Sequence, residues 1–420
     1  MHIKSVAVLF SALTTLTLGF TSIAFGATGD WPQWRGPKRD GVSTETGLLK
    51  EWPAKGPPLA WKASGLGRGY SSVSVVGNQI FTMGDGADSS FVHAFNLADG
   101  KIQWSEKVGK TGGGDGYPGP RCTPTVDGDL VFALGQFGDL ICVEAGTGTG
   151  RWRKNLVKDF SGRMMSGWGY SESPLVDGDK LVCTPGGARG TVVALNKSTG
   201  EEIWQCKELR DSAAYSSLVA VEIAGVRQFL QLTDASVAGI AAADGRLLWR
   251  APRRGSTAVV PTPIFYDNQV YVTSGYGVGC NLFKITSTGG KFQAEQVYHN
   301  NDMVNHHGGV VRVGDHLYGY SDGKGWICQE FKTGKTVWEE KSKLGKGSLV
   351  YADGHLYLRS EGGKGTVVLI DATPRGYQEK GRFHQPDRSQ EHSWPHPVIA
   401  GGKLYLRDQD VLLCYDVKQN

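Results

Sequence analysis

The side chains in this chain whose types can bind or transform a small molecule are His306 and His307, Glu172, Arg121, Trp168 and Trp394. Imidazole is an acid, base or metal ligand near neutral pH, carboxylate a base or hard-cation ligand, guanidinium a partner for carboxylates, and indole a flat stacking surface. A wider set shares one property with these six, lying just ahead of a short apolar run. Its members are Arg68 and Tyr70, Tyr117 beside Arg121, Tyr170 between Trp168 and Glu172, Tyr215, and the group Glu391, His392, Trp394 and His396. Adjacent residues of a strand point to opposite faces, so His306-His307 is a weak signal for metal. Glu172 and Asn305 offer a carboxylate and an amide oxygen of the kind that binds calcium. Asp85-Gly86-Ala87-Asp88 reads as a polar loop, and no residue stands out as a catalytic base.

The apolar runs that must position these residues recur. A glycine followed four residues later by a tryptophan occurs at Gly100 and Trp104, Gly148 and Trp152, Gly200 and Trp204, Gly245 and Trp249, and Gly334 and Trp338. The spacing is about forty to fifty residues, which is a propeller period. Tight-turn pairs give an independent count: Gly77-Asn78, Asp127-Gly128, Asp177-Gly178, Ala224-Gly225, Asp267-Asn268, Gly314-Asp315, Asp353-Gly354 and Gly401-Gly402, each between apolar strand residues. Gly, Asn and Asp tolerate the positive φ that such hairpins need.

The pattern therefore predicts an all-β fold, an eight-bladed β-propeller of four-stranded antiparallel blades. The fifth unit has Tyr298 and the seventh Phe383 near the tryptophan position, and the eighth stops after its third strand, Leu412 to Asp416. Its missing strand is expected at Pro58 to Lys62, where Trp61 closes the ring and removes the exposed edges. In such a ring the loops leading into each first strand share one face, so the polar and aromatic residues named above are expected to converge at the channel mouth as a ligand-binding site.

Sixty glycines fit many hairpins, and a net charge of +4 with dispersed basic residues does not point to nucleic acid or an anionic membrane. Residues 1–26 read as a secretory signal, with Lys4, an apolar run from Val6 to Ile23 and small residues before Ala27. That predicts an extracytoplasmic protein, periplasmic or secreted, with no stable membrane insertion after cleavage. No cysteine precedes Cys122, so no lipid anchor is expected. The seven cysteines include no Cys-x-x-Cys pair. Cys142, Cys328 and Cys414 occupy a third-strand position that Ala194 or Val368 fills in other units, as small buried residues do.

The repeated Ala-x-Asn/Asp-x-x-Thr-Gly-x-x-x-Trp arrangement, as in Ala194 to Trp204, resembles the tryptophan-docking motif of the PQQ-like propellers, the quinoprotein alcohol dehydrogenase-like superfamily. The resemblance runs from Pro58 to Asn420, which makes 58–420 the propeller and 27–57 an N-terminal extension. The opening Trp31-Pro32-Gln33-Trp34-Arg35-Gly36-Pro37 is similar to the start of many exported bacterial members. The resemblance implies two alternatives. One is a non-catalytic binding or scaffolding module holding a protein, peptide or glycan at the mouth. The other is a quinoprotein dehydrogenase oxidising an alcohol or sugar with PQQ and Ca2+, in which Trp168 or Trp394 stacks on the quinone, Arg121 pairs with its carboxylate, and Glu172 and Asn305 serve the metal. The family's alcohol dehydrogenases cover the quinone with a disulfide between adjacent cysteines, and no two cysteines are adjacent here. Its lipid-anchored assembly factor departs from this chain at the N-terminus.

Overall fold

The computed structural model describes residues 29–113 and 116–419, and the expected signal segment over residues 1–26 lies outside the described residues. Eight four-stranded sheets are present, each an antiparallel meander. We number them as blades 1 to 8 by their first strands: Ser74–Val76, Thr125–Asp127, Leu175–Asp177, Val219–Ile223, Ile264–Tyr266, Val310–Val313, Gly347–Ala352 and Val398–Ala400. The hairpins after these strands take the predicted turn geometry, with φ of 50° at Asp267 and 55° at Asn268 in blade 5. The ring closes as expected: Leu59–Ala63 is the outer strand of blade 8, with Trp61 opposite Cys414. Arg407 strengthens the seam, a fully buried guanidinium of blade 8 that donates to Thr82 Oγ1 of blade 1 at 2.7 Å and to the Ser71 carbonyl at 3.1 Å.

The glycine-to-tryptophan step holds neighbouring blades together. Trp204 lies across from Ala194 in its own sheet and packs on Gly245 of the next blade, where a Cβ would come within 2.4 Å of the indole. Only glycine leaves that space, and its φ of 74° is one that other residues rarely adopt. The indoles of Trp104, Trp152 and Trp338 each donate to a carbonyl of the following blade at 2.9 Å. Cys142 and Cys328 face Trp152 and Trp338 just as Ala194 faces Trp204, so these cysteines serve as small spacers. All seven cysteines are buried and unpaired.

Tyr298 takes the aromatic position of blade 5, its hydroxyl donating to the Phe331 carbonyl at 2.8 Å. Blade 7 corrects the sequence reading. Leu369, not Val368, matches Ala194 in register, and it faces Gly381 rather than Phe383. Phe383 packs on Gly56 from two residues farther on, and a second aromatic comes from the N-terminal extension: Trp52 fills the space above Gly381 and lies 5.8 Å from Tyr357, much as Trp152 lies 6.1 Å from Phe132. Phe383 sits beside it, against Tyr415.

The extension is accordingly part of the core. Trp31, Arg35, Arg39, Leu48 and Trp52 are all buried. From Trp31 to Glu45 the segment crosses the centre of the ring and reaches every blade. Trp31 pairs with Val75 of blade 1, and the Pro32 carbonyl accepts from Val126 N of blade 2 at 2.8 Å. Arg39 donates to the carbonyls of Ser173 and Pro174 in blade 3 and of Leu218 at blade 4. Trp34 donates to Thr262 ahead of blade 5 at 2.9 Å, and Arg35 to the Val310 carbonyl of blade 6 at 2.6 Å. Val42 bridges Tyr351 of blade 7, and Glu45 accepts from Gly402 N of blade 8 at 2.6 Å. Inner strands that converge on an axis leave carbonyls and apolar surface facing inward, and this strap covers both.

Candidate functional site

Above the strap a cavity of about 170 Å³ opens at the channel mouth. Residues just ahead of the first strands of seven blades line it, blade 7 being the exception. Of the side chains singled out in the sequence, Tyr70, Tyr117, Arg121, Trp168, Tyr215, His306, His307 and Trp394 reach it, as does His396. The repeat explains this convergence, because equivalent positions of successive blades are related by rotation about the channel axis.

The other candidates lie elsewhere, Glu391 and Asn305 among them. The Arg68 backbone pairs with Asp85 through Arg68 N to Asp85 O at 3.1 Å. Tyr170 is buried and donates to the Pro185 carbonyl at 2.8 Å, a packing role. Glu172 is 1% exposed, below the cavity, and accepts from Thr184 N. His392 lies outside the cavity at the rim, stacked on Trp394 with ring centroids 5.3 Å apart.

The wall also contains residues that the repeat register does not reveal. Trp34 of the strap forms part of the lining and touches His396, with ring centroids 4.5 Å apart. Tyr276, from the loop between the second and third strands of blade 5, contributes an exposed ring and bonds His306 Nε2 at 3.0 Å. Ser171 and Ser217 were accessible to the same positional rule as Tyr170 and Tyr215 but are small enough to pass as turn residues. Glu361, in the second loop of blade 7, supports the wall from behind: it accepts from His307 Nε2 at 2.6 Å and Trp394 Nε1 at 2.9 Å.

The electrostatics follow from burial. His306 and His396 are pushed down to about 3, chiefly by loss of hydration and further by His307 and Arg35 respectively, so both are neutral at pH 7. Burial alone would raise the Glu361 carboxyl, but the hydrogen bonds from His307 and Trp394 outweigh it and hold the group at about 2. Tyr70 is raised to about 12 by burial, then by Glu391, and stays protonated. The Arg121 guanidinium donates to the carbonyls of Trp168 and Tyr117, both at 2.8 Å, and lies 5.9 Å from the Tyr70 ring centroid.

The residues present do not fit the oxygen set expected for a calcium-bound quinone. Asn305 accepts from Gly309 N at 3.0 Å and donates to the carbonyls of Gly309 at 3.0 Å and Tyr320 at 2.9 Å, so its amide serves the loop. Glu172 and Asn305 precede blades 3 and 6 and neither lines the cavity. Burial lifts Glu172 to about 7 despite the Thr184 bonds and Arg39, which is the behaviour of a carboxyl kept away from water. Among the described residues no three His, Cys, Asp or Glu side chains are grouped as a metal site. What the cup offers is flat aromatic surface, neutral imidazole and one guanidinium, a combination suited to holding a ring-shaped polar molecule.

A family model described as outer membrane protein assembly factor BamB matches residues 87–340. Among solved structures, BamB from Moraxella catarrhalis is similar with a TM-score of 0.58 at 16% identity, over 88% of this chain and 100% of that one. The quinohemoprotein alcohol dehydrogenase of Comamonas testosteroni gives a TM-score of 0.65 at 12% identity, over 94% of this chain and 81% of that one. The computationally designed Ika8 protein gives 0.60 at 10% identity, over 85% and 99%. At these identities the likeness is one of fold. No curated protein matches the chain in sequence.

Proposed function

The chain belongs to the PQQ-like β-propeller repeat family, and from that premise we propose that it is an extracytoplasmic, non-catalytic binding module that holds its ligand in the cup at the channel mouth. The observation that carries this reading is the composition of the cup: seven blades and the strap converge on it with aromatic rings, while the acidic side chains nearest it are committed to packing. Glu361 fixes His307 and Trp394, and Glu172 is buried beneath. The expected partner is a protein, peptide or glycan, with no nucleic acid. The description of the matching family model as an assembly factor is in keeping with a binding role. The extracytoplasmic placement rests on the apolar N-terminal segment, and no helix among the described residues is long and apolar enough to cross a membrane.

One observation favours the second reading, a PQQ-dependent dehydrogenase of alcohols or sugars: Trp168, Trp394 and Arg121 all line the same cavity. The two readings separate in one experiment. The protein is titrated with PQQ and calcium while the quinone absorbance is followed, dye reduction is assayed with alcohols and sugars, and glycan and peptide libraries are screened by tryptophan fluorescence. Library ligands whose binding is lost in Trp34→Ala, with no dye reduction, support a binding module. Saturable PQQ binding with turnover overturns it.

A further inference from the structure

Arg121 lines the cup as a cation that makes no ion pair with a described residue. Among the described residues no carboxylate lies within ion-pair distance of it. Its two protein acceptors are neutral carbonyls, and they use two of the five N–H donors that a guanidinium carries. A partly buried cation held only by carbonyls and rings gains from an anion that brings two acceptor oxygens in a plane. The surroundings limit what that anion is attached to. Tyr70 and Tyr117 pack on Trp394, with ring centroids 4.6 and 4.9 Å apart, so the guanidinium sits in a corner of flat aromatic faces.

The imidazoles add a second constraint. His307 presents Nε2 to the Glu361 carboxylate and His396 presents Nε2 to the His307 carbonyl at 3.0 Å, and both partners only accept. Both Nδ1 atoms are buried out of reach of the cup, so the polar groups that the wall offers a ligand include the exposed hydroxyls of Tyr117 and Tyr276, which can donate and accept. A ligand rich in O–H donors suits that wall better than one that only accepts. A phosphate or sulfate lacks both the donors and the apolar face, and an aromatic acid lacks the donors.

We propose that the cup binds a hexuronic acid unit, free or at the end of a glycan, with its carboxylate on Arg121 and a ring face against Trp394. This rests on the binding-module reading of the same cavity. The test titrates the full chain with a glucuronate-terminated disaccharide, free glucuronate and the glucose-terminated counterpart, at low and high salt. The acid is expected to bind about tenfold more tightly than its neutral counterpart, with the margin shrinking in salt. Arg121→Gln should erase that preference, Arg121→Lys should keep part of it, and tighter binding of the disaccharide than of free glucuronate would identify a glycan end as the source. Equal affinity for acid and neutral sugar, a preference that survives Arg121→Gln, or no binding of the acid overturns the proposal. In the first case, or with a peptide ligand whose binding needs Trp34, the binding module stands while the acidic ligand falls. Turnover with PQQ overturns both. If Arg121→Gln fails to fold, Arg121→Lys and the salt dependence of the unaltered protein decide.

Discussion

The two ends of the central channel meet the same geometric problem with opposite chemistry. At one end, inward-facing carbonyls of blades 3, 4 and 6 are satisfied by Arg39 and Arg35 of the strap, and Trp31 fills the remaining space. At the other, the rings of Tyr70, Tyr117, Trp168, Tyr215 and Trp394 stand around a space that nothing in the described chain fills. The filled end is a folding element and the open end is the recognition surface proposed above. Trp34 belongs to both, as the part of the strap that forms cup wall. A propeller axis left open throughout would hydrate its inner carbonyls and lose a floor against which a ligand could be held.

Variants should separate the ends. Arg39→Ala, at the filled end, takes the guanidinium from three buried carbonyls, of which that of Pro174 keeps Thr125 Oγ1, and should lower stability by about 3 to 5 kcal/mol in urea unfolding. A loss below about 1 kcal/mol would mean that water replaces the guanidinium and that the strap is dispensable. Trp34→Ala should cost about 2 kcal/mol, because the ring is only half buried, yet abolish binding to the cup. Intact binding would place the ligand nearer the rim.

The two carboxyls sharpen the contrast through pH. Glu172 has its folded pKa raised from 4.5 to about 7, so its contribution is fully present below pH 4.5 and stability falls as pH rises through 7. Glu172→Gln should flatten that fall. Glu361 is depressed from 4.5 to about 2, so its contribution is present above pH 4.5 and is lost as pH drops toward 2. Glu361→Gln should remove that acid-side loss, and thermal unfolding across pH 2 to 9 checks both. The smallest expected effect on stability is that of Trp394→Phe, below about 1 kcal/mol, because the site remains aromatic. Calorimetry with the glucuronate-terminated probe should nevertheless show about tenfold weaker binding, since the smaller ring loses stacking area and the bond to Glu361.

Much of the cup was legible because the repeat makes position meaningful. Once Gly200 and Trp204 and their counterparts define the blades, Tyr70, Arg121, Trp168 and Trp394 fall at corresponding places and must share a face. The same rule included Tyr170 and Glu172, although both side chains are buried in the protein. It also included Arg68, whose backbone pairs with Asp85, and His392, which stacks on Trp394 outside the cavity. Phe383 does pack on Gly56 as Trp204 packs on Gly245, but only the pairing of Leu369 with Gly381 shows that it sits two residues beyond the tryptophan register.

The sequence by itself determined the eight blades, their closure by the strand at Trp61 and the face on which polar residues gather. Each of these follows from local turn chemistry and a period, which are properties of residues close together in the chain. Only the tertiary structure decided the path of residues 31–52: that Arg39 would serve carbonyls 134 and 179 residues away, that Trp52 would add a second aromatic at blade 7, and that Trp34 would help line the cup. Those contacts have no period, because a single strap crossing a rotational repeat meets each blade once and with a different residue.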